Sequence, residues 1–185
     1  RPIGSVPGGT TPYQAFSTRG TTQPRLDARA DYHFTGGRSK IILAGGITGT
    51  EGIIHSGLGP LDIQRGATFK YGRIAYHRDS LKLQFFVNAL DADASMLLLR
   101  GVDGQRLEPT FENQTYDVEF SDASSVGTRH LLSYGGNFRS NRFDLSLAPV
   151  GSSREEGGAY VQDRILLGER AQWIIGGRID RFGAV

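Results

Sequence analysis

The chain contains no cysteine in its 185 residues. Disulfides and thiolate-bound metals are therefore excluded, and the lack of cysteine is compatible with an exposed bacterial surface protein. Proline occurs only seven times, which argues against a low-complexity chain. Charge of one sign is missing too. Twenty-one Lys and Arg face nineteen Asp and Glu, a net charge of +2, too even for a nucleic-acid surface. No run approaches the roughly 18 apolar residues of a transmembrane helix. The chain opens on Arg1 with no basic start and apolar core of a secretory leader. The expectation is either a removed leader or a segment of a longer protein.

Catalytic patterns are equally sparse. His33, His55, His77 and His130 are scattered without metal-ligand spacing. Asp91 and Asp93 resemble half a calcium loop, but no EF-hand pattern follows. Gly45 to Gly52 is glycine-rich yet lacks the lysine of a phosphate-binding loop. No G-x-S-x-G occurs. Asn113-Gln114-Thr115 is formally a glycosylation triplet and nothing more. Neither an enzyme, nor a metal, nor a cofactor is expected.

What is abundant is glycine, 26 residues or about twice the usual share. Glycine at that level without a repeat suits a turn-rich, twisted β-protein. Mean hydropathy is slightly negative, which a β-barrel shares with soluble proteins because every second residue faces water.

The clearest pattern is the C-terminal hairpin, Gly157 to Val185. Trp173, Ile175, Gly177 and Ile179 fall on one face of its second strand, and Gln172, Ile174, Gly176, Arg178 and Asp180 on the other. The same period of two recurs upstream. Arg25 to Phe34 sets Leu26, Ala28, Ala30, Tyr32 and Phe34 against Arg25, Asp27, Arg29, Asp31 and His33. Ser39 to about Thr48 groups Ile41, Leu43, Gly45 and Ile47; Thr68 to His77 groups Gly72, Ile74 and Tyr76. Leu81 to Leu90 sets Leu83 and Phe85 against Lys82, Gln84 and Asn88. Thr115 to Phe120 sets Tyr116, Val118 and Phe120 against Asp117 and Glu119. Arg129 to Arg139 sets Leu132, Tyr134 and Phe138 against Asn137 and Arg139. Two residues resist the pattern: Lys70 on the apolar face of the third strand, and Asp163 beside Val161 and Ile165. The lysine is expected to snorkel. For the aspartate, either the lower membrane boundary or a register-resetting bulge is expected.

These segments predict an all-β, antiparallel up-and-down meander of about eight strands. Tight turns at 35–38, 78–80, 121–128 and 168–170 alternate with long connections at 49–66, 91–113 and 140–156, and residues 1–24 read as a loop. Met96 to Leu99 suits a short helix or extra strand, and Phe143 to Pro149 an extension of β-structure. Short turns at one end and elaborated loops at the other are the asymmetry of outer-membrane barrels. The aromatic residues agree. Tyr32, Phe34, Tyr76, Phe120 and Trp173 sit toward the tight-turn end of the apolar face, and Tyr116 and Phe138 toward the other, with aliphatic residues between. The apolar set Leu26, Tyr32, Phe34, Leu83, Phe85, Tyr116, Phe120, Leu132, Phe138, Trp173 and Ile175 is expected to face lipid. The polar set Arg25, Asp27, Arg29, Asp31, Arg73, Asn88, Asp117, Glu119, Asn137, Arg139, Arg178 and Asp180 is expected to line a lumen.

GAYVQDRILLGERAQWIIGGRIDRF resembles the barrel hairpin of TonB-dependent receptors, where a Gly-aromatic-x-Gln-Asp strand precedes a Gly-x-Arg-aromatic-Asp strand. Ile179 stands at the aromatic position. HLLSYGGNFR (His130 to Arg139) and YHRDSLKLQFFVNALD (Tyr76 to Asp91) are similar to preceding strands of that family, in the same order. The resemblance implies part of the transmembrane β-barrel of a Gram-negative outer-membrane receptor. Such receptors take up a scarce nutrient — a siderophore, cobalamin, metal complex or glycan — energised through TonB. Its partners would be outer-membrane lipid, the TonB protein through a plug domain absent from this chain, and a small nutrient ligand; no nucleic acid is implied. The family barrel has about 22 strands, so the chain is expected to be a fragment forming an open, curved sheet. The alternatives are a small eight-stranded structural or adhesive barrel, an outer-membrane barrel enzyme, and a soluble ligand-binding barrel.

Overall fold

The computed structural model describes residues 22–57, 59–146 and 152–183. Eight strands follow one another: β1 Arg25–His33, β2 Ser39–Ser56, β3 Gly59–Arg78, β4 Leu81–Met96, β5 Thr110–Val126, β6 His130–Leu145, β7 Ser153–Leu166 and β8 Gln172–Phe182. They form a single antiparallel sheet in the order β1-β2-β3-β4-β5-β6-β7-β8. The all-β meander anticipated from the period-two pattern is the fold observed. Among the described residues β1 and β8 do not pair, so the sheet is open. Most of the loop expected at 1–24 lies outside the described residues, as do residues 147–151.

Three of the tight turns stand where the sequence places them, whereas the one expected at 121–128 shrinks to 127–129 because β5 runs on to Val126 and pairs with His130. Gly36 and Gly37 take positive φ between β1 and β2, Asp79 between β3 and β4, Gly127 between β5 and β6, and Gly168 between β7 and β8. Ladder rows run obliquely through the sheet. The row that begins at His33, at the foot of β1, passes Lys40, His77, Lys82, Ser121, Gly135 and Tyr160 and ends at Arg178, well up β8. That stagger is the shear a tilted, barrel-like sheet requires.

The other end differs from expectation. Residues 49–66 are not an irregular connection. β2 and β3 continue as a ladder to Ser56↔Gly59, and β4 continues to Met96. Ile53, Ile54, Leu61 and Ile63 carry the strand tendency that their glycine neighbours mask in sequence. The register shifts between Thr50 and Gly52 on β2 and between Ile63 and Thr68 on β3. Gly52 and Gly66, both at positive φ, take up these irregularities. The run from Met96 to Leu99 is a strand end and a bend, not a helix. Phe143 to Leu145 do extend β6.

Among the described residues, the one buried apolar cluster lies at this elaborated end. Leu61, Ile63, Ala67, Ala92, Ala94 and Met96 pack beneath the 97–109 connection, with Leu107 and Phe111 against them. The connection is tied down by Ala94 N–H to Pro109 O, Met96 N–H to Leu107 O and Leu97 N–H to Pro60 O. Among the described residues, the central body of the sheet holds no comparable core.

Candidate functional site

The candidate site is the pair of faces themselves. Directly paired residues of an antiparallel ladder share a face, so the register assigns every side chain. Leu26, Ile47, Lys70 and Ala89 form one row. Tyr32, Ile41, Tyr76, Leu83, Phe120 and Gly136 form another. Between them, Leu43, Ile74, Phe85, Val118 and Phe138 are successive neighbours. All the residues grouped by sequence as apolar share this face, Phe34 by alternation just past the end of β1.

Nothing in the described residues covers it. Leu26 is 69% exposed, Trp173 62% and Ile179 75%, and the aliphatic residues between them are also exposed. The apolar zone has polar limits. Thr68, Asp91, Gln114, Arg142 and Glu155 stand above it on successive strands, and Asp122 and Ser124 below it on β5. Aromatic residues gather at the lower limit. Tyr32 and Phe34 make an edge-to-face pair at 5.0 Å, and Phe120 and Tyr134 lie 5.9 Å apart. There the Tyr134 hydroxyl donates to Asp122, 3.0 Å, and the Ser80 hydroxyl to the same carboxylate, 2.6 Å.

Asp163 resolves simply. The β6–β7 and β7–β8 ladders run without a register shift, so no bulge turns it away. It stays on the apolar face between Leu132 and Ile175 and meets His130 at 2.6 Å. That places it at the lower limit of the apolar zone.

The opposite face is polar and crowded. Arg29 bonds Asp31 at 2.7 and 2.8 Å, Arg178 bonds Asp180 at 2.8 and 2.9 Å, and Arg25 pairs with Asp27. Each is an i, i+2 pair along one strand, the shortest spacing that keeps both partners on the same face. Arg139 reaches across from β6 to Asp117, 2.7 Å, whose carboxylate is nearly sealed from solvent. Asn88, Glu119 and Asn137 share this face, Glu119 accepting from Gln84 at 3.4 Å. Asp117 is 3% exposed and Ala75 1%, although only neighbours on their own face can cover them. Burial confined to the polar face is that of a sheet curved with this face concave.

Glycine makes room for the longer contacts. Tyr71 on β3 donates to Asp27 on β1, 2.8 Å, by passing over Gly46, where a Cβ would strike both side chains. Gly158 likewise lies under the Arg178–Asp180 pair, and a Cβ there would collide with Asp180. Gly158→Leu is expected to displace that pair and cost about 1–3 kcal/mol as an overpacked site. Gly177→Leu, where a Cβ meets open space, is expected to cost less than half as much. Urea titration of both variants checks the difference.

The polar face also carries residues that sequence grouping left out. Lys40, His77 and Tyr160 belong to it, beside Lys82. A symmetric reading outward from the tight turns at 34–38 and 79–80 would have paired His33 with Lys40 and His77 with Lys82.

Compared with protein-family models, with curated proteins and with solved structures, the chain matches none.

Proposed function

We propose that this chain forms part of the wall of an outer-membrane β-barrel, its apolar face against lipid and its polar face toward a lumen, within a TonB-dependent receptor for a scarce nutrient. One observation carries the membrane half of the reading: one face of an eight-stranded sheet carries a broad apolar zone, broken by Lys70, left uncovered by the described residues and bounded by polar residues at both ends. A soluble protein rarely exposes a contiguous apolar patch beyond a few hundred Å², and a bilayer is the solvent that suits one. The receptor half rests on the resemblance of the Gly157–Phe182 hairpin and the two strands before it.

The open edges bear on the alternatives. A closed eight-stranded barrel needs β1 paired with β8, and the described residues have no such ladder. A soluble barrel would cover its apolar face, and none of the described residues covers it here. Further strands bridging β1 and β8 would close the wall and leave no edge exposed.

Two measurements test the reading. Protein expressed in Gram-negative cells should sediment with the outer membrane and migrate differently on gels before and after boiling. Cells lacking it should lose energised uptake of one nutrient, and cells lacking TonB should lose the same uptake. Recovery in the soluble fraction would overturn the membrane assignment. Membrane residence with uptake unaffected by TonB would overturn the receptor assignment alone. Protease added outside intact cells should cut within 97–109 before the turns at 34–38 or 167–171; the reverse order would invert the topology.

A further inference from the structure

The foot of the polar face carries a row of bases. His33, Lys40, His77 and Lys82 are direct cross-strand partners on β1 to β4. Side chains so paired have Cβ atoms about 5 Å apart, so each histidine sits beside a lysine and is repelled by it whenever its ring is protonated. Neighbouring carboxylates relieve this repulsion only in part: Asp31 is close enough to attract Lys40 and His33, and among the described residues no carboxylate pairs directly with a member of the row. Asp31 is held by Arg29, Asp79 by Arg38 at 3.0 Å, and Asp180 by Arg178. Among the described residues, Lys40, Arg73, His77 and Lys82 take no part in an ion pair with a carboxylate.

Arg73 adds an independent sign. It lies two rows above His77 on the same face of β3, with Ala75 between them, and its Nε is buried with no hydrogen-bond partner. A sealed donor without an acceptor is costly and calls for explanation. Arg73, His77 and Lys82 line one wall of a trough of about 580 Å³ on the polar face, which extends to Tyr160 and Arg178. Its one carboxylate, Glu119, already accepts from Gln84. Neutral donors are present in Ser121, Asn137 and Tyr160.

We propose that this trough binds a small oxyanion bearing two or more negative charges, a diphosphate or a polycarboxylate. Arg73 supplies a planar fork that takes two oxygens at once, Lys82 supplies a point charge beside it, and His77 a ring N–H donor. The ligand relieves the repulsion along the row and gives the Arg73 Nε an acceptor. The site stands on the polar face alone and is independent of what covers the opposite one.

Calorimetric titration of the purified protein in zwitterionic detergent tests it, with inorganic pyrophosphate and with citrate as the two probes at low salt. One or both should bind, and added salt should weaken the binding. A preference between them assigns phosphate or carboxylate as the source. Arg73→Gln with Lys82→Gln should weaken binding about tenfold or more. Lys70→Gln, which removes a lysine from the opposite face, should leave it unchanged. Lys82→Gln alone removes an exposed side chain without hydrogen bonds, so its folding is secure, and it should weaken binding severalfold. The proposal fails if neither probe binds, or if Lys82→Gln and Lys70→Gln bind as the wild type does. It fails also if only an acidic polypeptide such as polyglutamate binds, since the trough would then be a protein-docking surface.

Discussion

Arginine in place of Leu83 or Phe85 should destabilise the membrane-inserted protein by about 2–4 kcal/mol, the cost of a cation near the bilayer midplane on the lipid face of a barrel. Phe85 sits in the middle of the apolar zone, between Ile74 and Val118; Leu83 lies one row lower, between Tyr76 and Phe120, so its cost belongs at the low end of that range. The same substitution at Asn88 or Asn137, on the polar face, should stay within about 0.5 kcal/mol, as at an ordinary wetted position. Leu132 and Ile175 belong to the apolar face as well, but Asp163 stands between them in the same row. Arginine there finds a carboxylate at the border of the zone, so its cost should fall to about 0–1 kcal/mol, the interfacial value. Urea-induced unfolding of protein refolded into lipid vesicles measures the series. Equal losses on both faces would defeat the lipid and lumen assignments. Equal losses at Phe85 and Ile175 would move Asp163 away from the border.

The two faces were legible in the sequence because a period of two survives any error in strand length. Trp173 and Ile175 share a face whether β8 begins at 171 or 173. The tight turns were legible for a related reason. Gly36-Gly37, Gly127 and Gly168 occupy positive φ that few other residues tolerate, and polar residues flank them. Strand length at the other end was not legible. Gly49, Gly52 and Gly66 read as loop punctuation, whereas two of them serve irregularities in one continuous ladder. A glycine in a bulge and a glycine in a loop look alike until the opposite strand is known.

The basic row was hidden for another reason. It takes one residue from each of four strands, so no window of sequence contains it. The ion pairs divide in the same way. Arg29–Asp31 and Arg178–Asp180 are short-range and visible as R-x-D. Asp117–Arg139 spans two strands, and only the register brings it together.

That cross-strand pair carries the second large effect. Asp117 is buried, and its bond to Arg139 is the one cation contact it makes. Phe86 is its direct neighbour on the β4 side, so no second cation replaces a lost arginine there. Removing Arg139 leaves a carboxylate sealed from water and unpaired. For a fully buried pair this costs about 3–5 kcal/mol. Arg139 is 46% exposed along its side chain, and solvent screening of that half lowers the expectation to about 2 kcal/mol for Arg139→Met. Asp117→Leu leaves only a half-exposed guanidinium, which water and the neighbouring Glu156 accommodate, and should cost less than Arg139→Met. The double variant should recover most of the loss, because an apolar pair needs no counter-ion. The urea midpoints of the three variants give the coupling energy of a double-mutant cycle. A coupling near zero would mean that Asp117 is reached by water despite its burial, and that the polar face is a wetted wall along its whole length and not one with a dry seam between β5 and β6.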